Sequence, residues 1–181
     1  MPPKQRITRE MILEKAFDMF CREGMETVNA RSVAKALNCS TQPIFSYYTG
    51  MQDLRSALDQ KAQDLFTTQV LETEKGDLWF TDLCEAFVRF ACDHPHIYRH
   101  LYESVCEDKQ RLLVLSPLGT QLVAHISEKE AVGEDAAKAV VNRMLIHCTG
   151  LASLSLIGLH GADDTRAIIE KAYSDAVAAI R

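Results

Sequence analysis

Three consecutive side chains, Ser40, Thr41 and Gln42, carry hydrogen-bonding groups that suit base pairs, and they stand at the predicted start of a short helix. A Gln amide can pair with adenine through two hydrogen bonds, and Thr offers a hydroxyl together with a methyl that suits thymine. Pro43 fits the first turn of a helix, where its missing N–H leaves no intrahelical bond unmade. The pattern therefore predicts a helix that begins near residue 41 and exposes polar groups at its N-terminal end.

A second short helix is predicted immediately before this one. Asn29 can cap it, and residues 38–40 then turn the chain. The apolar side of this helix consists of Val33, Ala34 and Leu37, and its outward cations are Arg31 and Lys35. Two helices joined by such a turn form a helix-turn-helix, whose second helix enters the major groove of DNA while the first braces it across the backbone.

A further helix is predicted upstream, where Thr8 can cap its start and Gly24 can end it. With this helix included, residues 8–54 resemble the DNA-binding domain of the tetracycline-repressor (TetR) family of bacterial regulators. The resemblance is carried by Ile12, Ala16, Phe20, Gly24, Thr27, Val28, Val33, Ala34, Ser40, Ile44, Phe45, Tyr47, Tyr48 and Leu54. It implies an all-α fold with a three-helix DNA-binding domain over residues 1–50 and a helical ligand-binding and dimerisation domain over residues 51–181.

Roles within the DNA-binding domain follow partly from chemistry and partly from the resemblance. The expected DNA contacts are Thr27, Asn29, Arg31, Ser40, Thr41, Gln42, Pro43, Tyr47 and Tyr48. Thr41 and Gln42 are expected to read bases, whereas the start of the second helix suits a phosphate. The resemblance implies that Tyr47 donates to a phosphate. Tyr48 is also expected to pack against the first helix, and Ile44 and Phe45 are expected in the core.

One departure from the family pattern lies at the start of the fourth helix. Many family members have a lysine there that contacts a phosphate, and this chain has Met51. Unless Lys4 or Arg6 replaces that contact, the salt dependence of DNA binding is expected to be shallower by roughly one ion equivalent.

Apolar periodicity predicts helices throughout the remainder of the chain, the fourth over about 51–71 and the fifth over 78–92. Others are predicted from residues 95 and 117, over 134–159, and from 163 or 164 to 180. A cavity between the fifth and eighth helices would suit a small-molecule effector, but the same side chains are equally compatible with a filled core. The residues concerned are Trp79, Leu83, Phe87, Tyr98, Tyr102, Met144, His147 and Cys148.

The last two helices have the character of a subunit interface. Residues 145–159 are apolar or small nearly all round, which a helix exposed on one side of a monomer would not sustain, although an internal core helix would. The resemblance implies a four-helix dimer bundle. The contacts expected there are Leu151, Ser155, Gly158, Ile169, Tyr173 and Ala176. A two-fold homodimer would place two reading heads about 34 Å apart on successive major grooves.

Composition agrees with these expectations. The 181-residue chain is 47% hydrophobic and 25% charged, as is ordinary for a globular protein. Its net charge of −5 is uneven, because residues 1–50 carry seven Lys and Arg against five acids and residues 51–181 carry 13 against 20. A basic balance local to the DNA-binding part is what counterion release at phosphates requires, although chance scatter would give a similar pattern.

The sequence also indicates what is not expected. The N-terminus lacks the apolar stretch of a secretory signal, and no uninterrupted apolar run approaches the roughly 18 residues that span a bilayer. We therefore expect a cytoplasmic protein without membrane contact. Six cysteines without a C-x-x-C pair favour buried reduced thiols. Asp93, His94, His96 and His100 are interpreted as a helix start and one partly exposed face, so neither a metal nor a cofactor is expected.

Catalytic patterns are missing as well. The sequence has no Ser-His-Asp order, glycine-rich phosphate loop or His/Glu metal motif, so we expect no enzyme activity. The resemblance instead implies a transcriptional repressor that an unidentified small molecule releases from a palindromic operator. The alternative is a helical small-molecule-binding or partner-binding protein that retains the helix-turn-helix only as scaffold. Met51 is the best argument for that alternative.

Overall fold

The computed structural model of the chain describes residues 7–72, 76, 78–103, 117–159 and 165–180, and all regular structure within these ranges is helical. The helices are α1 (Arg9–Glu23), α2 (Ala30–Ala36), α3 (Gln42–Tyr47), α4 (Met51–Phe66), α5 (Trp79–Asp93), α6 (Pro95–Tyr98), α7 (Pro117–Glu130), α8 (Glu134–Leu156) and α9 (Thr165–Ala178). Two of them continue as π-helical turns, α4 over Thr67–Leu71 and α6 over Arg99–Glu103. The predicted all-α class is confirmed.

Local capping chemistry sets the boundaries of the first helices as predicted. The Thr8 hydroxyl accepts a hydrogen bond from the Met11 amide at 3.2 Å, which starts α1. Asn29 and Ser32 form a reciprocal capping box at the start of α2. Gly24 ends α1 with φ +93°, and a Cβ at this position would lie 2.5 Å from a carboxylate oxygen of Glu26. Glycine therefore suits this turn both in conformation and in space.

The long α4 joins the DNA-binding helices to the rest of the chain. Its buried stripe repeats every four residues, through Leu54, Leu58, Ala62 and Phe66, as helical periodicity requires. Polar contacts reinforce the junction on two sides, because Lys61 pairs with Glu14 of α1 and Asp59 accepts from His100 at 2.6 Å. Movement of α4 would therefore reach both α1 and α6.

The remaining helices pack around α5, the most extensively buried of them. Helices α6, α8 and α9 contact α5 directly, and α7 packs against α8. The buried face of α5 is wider than that of a half-exposed surface helix. Its buried members are Trp79, Phe80, Thr81, Leu83, Cys84, Phe87, Val88, Phe90 and Ala91. This layer is continuous with the core beneath α1 to α4.

Several expectations concern residues outside the described ranges, namely Lys4, Arg6, Asp77, Cys106, residues 107–116, Asp163 and Asp164. One helix end in the described part of the chain differs from its prediction. The eighth helix was predicted to reach residue 159, but α8 ends at Leu156, because Ile157 and Gly158 (φ +74°) turn the chain. Among the described helices α8 alone is long and apolar enough to cross a membrane, a test that core helices also pass. A third of its most apolar 18-residue window is buried against neighbouring helices.

Candidate functional site

The recognition helix α3 is held by two buried side chains and exposes the opposite face. Ile44 and Tyr48, four residues apart, point into the core. Gln42, Phe45 and Ser46, spaced by three and four residues, lie together on the exposed side, and we name them the recognition face. The prediction that Phe45 belongs to the core is wrong, because its side chain is 53% exposed. An exposed aromatic of this size beside Gln42 is a candidate for apolar contact with a thymine methyl.

A surface groove of about 850 Å³ runs beside α3. Four of the predicted DNA contacts, Ser40, Gln42, Pro43 and Tyr47, line this groove. Its other lining residues lie at the start of α1, in the turn of the helix-turn-helix and on α3, and they are Ile7, Met11, Leu37, Asn38, Cys39 and Ser46. Asn38 has φ +51°, a conformation that Asn tolerates better than most residues, and this turn positions Ser40 at the groove. Thr41 stands at the N-cap of α3, although its side chain makes no capping hydrogen bond.

The predicted phosphate site at the start of α2 is largely occupied by the protein itself. The side-chain oxygen of Asn29 accepts hydrogen bonds from the backbone N–H groups of Arg31 and Ser32. The backbone N–H of Asn29 in turn donates to the Ser32 hydroxyl. Thr27 donates its hydroxyl to the Gly24 carbonyl oxygen at 2.8 Å. Asn29 therefore serves as a helix cap, and the phosphate contact expected of Thr27 and Asn29 stays a prediction. The exposed guanidinium of Arg31 is the group at this end that remains suited to a phosphate.

The paired tyrosines have different environments. Tyr48 is 1% exposed, and the Arg9 guanidinium lies 5.1 Å from its ring centroid. Burial raises the pKa of Tyr48, with the Arg9 charge opposing that effect. Tyr48 therefore packs beside α1, as one of its two predicted roles required, and its predicted DNA contact is corrected. Tyr47 is exposed, and its hydroxyl donates to the Ile7 carbonyl oxygen at 3.3 Å.

We expect Tyr47→Phe to weaken binding to all DNA sequences by a similar factor, equivalent to about 0.5–1.5 kcal/mol. The hydroxyl carries no base-specific information, whether it contacts a phosphate or fixes the start of α1 through Ile7. Titration of a preferred and a scrambled duplex would measure both losses. A change confined to the preferred duplex would instead place Tyr47 among the base-reading residues.

Charge on the described part of the DNA-binding domain is balanced rather than positive. Two of the seven basic residues in positions 1–50, Lys4 and Arg6, lie outside the described part. The other five basic residues are matched by five acidic residues. Asp18 pairs with Lys15 at 3.5 Å and with Arg22 at 3.0 Å. Arg31 and Lys35, both exposed on α2, have no acidic partner among the described residues. These two cations are the strongest phosphate candidates in the described part of the domain.

Most of the predicted effector-pocket residues form a filled core. Leu83, Phe87, Met144 and Cys148 line one internal void of about 20 Å³, together with Phe80, Cys84, Leu122, Val141 and Leu145. Drug-sized ligands occupy about 300–1,000 Å³, so this void cannot hold one without expansion. Hydrogen bonding to Cys148 and burial raise the pKa of Cys84.

Four other predicted pocket residues lie away from the void. Trp79 is buried and meets His125 edge to face, with their ring centroids 4.8 Å apart. Tyr98 and Tyr102 pack on Phe87, at centroid distances of 5.7 and 5.3 Å. Burial raises the pKa of Tyr98 to about 12. His147 is exposed on the outer side of α8, so its prediction as a pocket residue is wrong.

The outer side of α8 presents an apolar surface, but with a different set of residues from the predicted one. Leu151, Ile169 and Ala176 are buried within the protomer, so a partner cannot contact them at this surface. Ser155 is half-buried, and the half-buried Tyr173 donates its hydroxyl to Glu130 at 2.7 Å. Gly158 is exposed. From residue 142 onward, the exposed residues of α8 and Ile157 of the turn that follows it instead share one face, which we name the outer face. It consists of Asn142, Arg143, Ile146, His147, Thr149, Gly150, Leu154 and Ile157.

Three large aliphatic side chains of the outer face, Ile146, Leu154 and Ile157, are exposed. Ile146 is 72% exposed and Ile157 is 65% exposed. A groove of about 490 Å³ continues this surface onto α9, where it is lined by His147, Ala167, Ile168, Lys171, Ala172 and Asp175. Exposed aliphatic side chains clustered on one face are typical of protein-protein contact sites.

Two of the histidines interpreted as structural have structural partners. His94 pairs with Gln69 at 3.0 Å, and His100 meets both Asp59 and the Phe20 ring, whose centroid lies 5.1 Å away. No group of three or more His, Cys, Asp or Glu side chains in the described ranges is arranged to hold a metal ion.

The geometry defines a helical protein with an N-terminal helix-turn-helix and an exposed recognition face. No family model matches the chain. An uncharacterised helix-turn-helix-type transcriptional regulator of Bacillus subtilis (strain 168), YobS, is 26% identical over 165 residues, which are 89% of this chain and 80% of that protein.

Two solved structures have the same fold. A TetR-like transcriptional regulator from Rhodococcus sp. RHA1 superposes with a TM-score of 0.62 at 17% identity, covering 96% of this chain and 99% of that one. A TetR-family regulator from Haemophilus influenzae RD also gives 0.62, at 18% identity, over 91% and 93% of the two chains. The chain therefore has the TetR-type regulator fold, and the resemblance found in residues 8–54 is confirmed.

Proposed function

We propose that this protein is a sequence-specific DNA-binding transcriptional regulator of the TetR type that acts as a homodimer in the cytoplasm. The observation that carries the proposal is the recognition face, where Gln42, Phe45 and Ser46 are exposed on a helix anchored by buried side chains. Buried anchors hold the exposed groups in a fixed orientation, as base reading in a major groove requires. The fold and the similarity to YobS support the same conclusion.

The outer face supports homodimerisation as part of the proposal. Its central side chains, Ile146 and Ile157, are costly to leave in water, and a two-fold partner would cover them. A dimer also doubles the number of bases read, which a six-residue recognition helix needs for specificity. The matching operator would be a palindrome with half-sites about one helical turn apart.

Repression with release by an effector is the regulatory mode that we propose. The contacts of His100 with Phe20 of α1 and Asp59 of α4 join the DNA-binding helices to α6 and its π-helical turn. A displacement of α6 would therefore shift α1 and α4 together and change the separation of two heads in a dimer. An effector acts this way only if it binds the DNA-incompetent arrangement more tightly.

A second function is favoured by Met51 at the start of α4 and by the charge of the DNA-binding domain. Met51 is half-buried against the core where a phosphate-contacting lysine would be expected by resemblance, and the described part of the domain carries no net charge. Both features suit a partner-binding protein that keeps the helix-turn-helix as scaffold. Such a protein would show only weak, strongly salt-dependent DNA binding without a preferred sequence.

Selection of bound duplexes from a random pool tests the proposal against this alternative. We expect enrichment of an inverted repeat, and a mobility shift with the enriched duplex at concentrations at least about a thousandfold below those needed for random DNA. Uniform binding without any enriched sequence would refute sequence-specific regulation and support the scaffold alternative.

Salt dependence tests the two unpaired cations. We expect Arg31→Ala and Lys35→Ala each to reduce the slope of log affinity against log salt by about one, because each substitution removes one cation from a phosphate. Binding to specific and random duplexes should weaken together. Arg89→Ala, which removes an exposed arginine of α5 far along the chain, is the matched control and should leave the slope unchanged. If the wild type and all three variants gave the same salt slope, Arg31 and Lys35 would be excluded from the DNA interface.

A further inference from the structure

We propose that the void between α5 and α8 is a binding site for a single soft metal ion, copper(I) in particular, held by Cys84, Cys148 and Met144. All three side chains line the same internal void. Each is at least 96% buried, since their exposed fractions are 4%, 3% and 1%. The Cys84 and Cys148 thiols are also in direct interaction with each other.

The size of the void selects a single ion rather than an organic molecule. Its volume of about 20 Å³ exceeds the roughly 10–15 Å³ that one water-sized sphere requires, and it falls far below that of a small-molecule pocket. Atoms around so small a void lie at van der Waals distance from its centre. Rotation of the cysteine and methionine side chains could shorten these distances to metal-sulfur bonds of about 2.3 Å.

The donor atoms select the kind of ion. Two thiols and one thioether are soft ligands, which favour copper(I) over magnesium, calcium or manganese. The other lining side chains are Phe80, Leu83, Phe87, Leu122, Val141 and Leu145, so the void offers no carboxylate or imidazole. The expectation from sequence that no metal binds rested on the histidine cluster and on the missing C-x-x-C pair, and it did not join Met144 to these two cysteines.

Charge balance favours a monovalent ion in such an apolar site. On binding, one thiol loses its proton to water and its S–H bond is replaced by a sulfur-copper bond, while the Met144 thioether donates a lone pair. The other thiol keeps its proton and hydrogen-bonds to the thiolate sulfur. The complex is then neutral, which the apolar surroundings require. Leu145 is the one lining residue that is not fully buried, so entry lies past this side chain.

The position of the ion suggests what its binding would do. Coordination would draw together α5, which follows the π-helical turn of α4, and α8, which carries the outer face. The ion would thus be the effector of the regulator proposed above, and this part of the inference rests on that proposed function. Cys92, exposed on the same helix as Cys84, provides a matched control thiol.

Binding of copper(I) to the full chain tests the site independently of DNA. Under anaerobic reducing conditions with bathocuproine disulfonate as competitor, we expect one tight equivalent in the wild type and in Cys92→Ser. Cys84→Ala and Cys148→Ala should lose it. Met144→Leu, which conserves volume, should bind at least about tenfold more weakly. Retention of the tight equivalent in both Cys84→Ala and Cys148→Ala, or its absence from the wild type, would overturn the site.

X-ray absorption of the one-equivalent wild-type complex requires no variant and so does not depend on variant folding. We expect a first shell of sulfur alone at about 2.3 Å, and nitrogen or oxygen ligands would overturn the assignment. For the effector role, one equivalent should weaken operator binding about 5–150-fold in the wild type and leave Cys84→Ala unaffected. Copper binding without any change in operator affinity would overturn the effector role alone. If no duplex is bound at all, the proposed function fails and the copper titration still decides the site.

Discussion

Ile146→Glu is expected to convert a dimeric protein into monomers and to abolish high-affinity operator binding. Ile146 is 72% exposed at the centre of the outer face, so a two-fold partner would bury this side chain from both subunits. A glutamate there would place a charge between the aliphatic side chains of the outer face, at a cost on the order of 3–5 kcal/mol, equivalent to a factor of hundreds to thousands in the dimer dissociation constant. Sedimentation equilibrium and a mobility shift on the selected operator would measure both effects.

The fold of the protomer should survive this substitution, because the side chain is largely exposed in its own chain. Unchanged helical circular dichroism would verify that. Leu78→Glu is the matched control, since Leu78 is also an exposed aliphatic residue but lies at the start of α5, away from the outer face. We expect the control to remain dimeric. A dimeric Ile146→Glu variant would show that subunits associate elsewhere, or that the outer face has a different partner.

The correction of the interface residues has a simple physical cause. From 145 to 159 the sequence is apolar or small on all sides, so its periodicity does not show which side faces the protomer core. Leu151 and Ile146 are both large aliphatic residues in this segment, yet only tertiary packing against α5, α7 and α9 determines that Leu151 is buried and Ile146 is exposed. The apolar character of the helix was therefore predictable from sequence, but its orientation was not.

Local chemistry was far more predictable than packing. Thr8, Asn29 and Gly24 take their predicted helix-end positions, because capping hydrogen bonds and positive φ depend on neighbours within three or four residues. Phe45 was expected in the core together with its neighbour Ile44, and only Ile44 is buried. The exposure of Phe45 could have been inferred from its spacing to Gln42. Residues three apart on a helix lie on the same face, and Gln42 was already expected to be exposed.

The effector cavity could not have been predicted from residue types. Leu83, Phe87, Met144 and Cys148 do meet around one void, but its volume of about 20 Å³ depends on how neighbouring side chains interlock. The approach of Cys84 to Cys148 is likewise a tertiary result, since 64 positions separate them in the chain. His147, by contrast, was predicted to line the cavity but is exposed. It follows Ile146 directly on α8 and lies on the outer face with it.

The recognition face provides the second large expected effect. Gln42→Ala should remove a bidentate contact with one adenine in each half-site, at about 1–3 kcal/mol apiece and therefore about 2–6 kcal/mol for a palindromic operator. Phe45→Ala should add a smaller loss of affinity at a neighbouring thymine, because it removes apolar contact without a hydrogen bond. Random duplexes should bind both variants as they bind the wild type, since neither side chain carries charge for phosphate attraction.

Repeating the duplex selection with each variant separates base reading from a general loss of affinity. For Gln42→Ala we expect the preferred inverted repeat to lose its base preference at one position per half-site while the spacing between half-sites stays the same. Gln52→Ala removes another exposed glutamine, from α4 and ten residues away, and should select the wild-type repeat. If Gln42→Ala also selected that repeat with undiminished preference at every position, Gln42 would not read a base, and the remaining exposed members of the recognition face would have to carry the specificity.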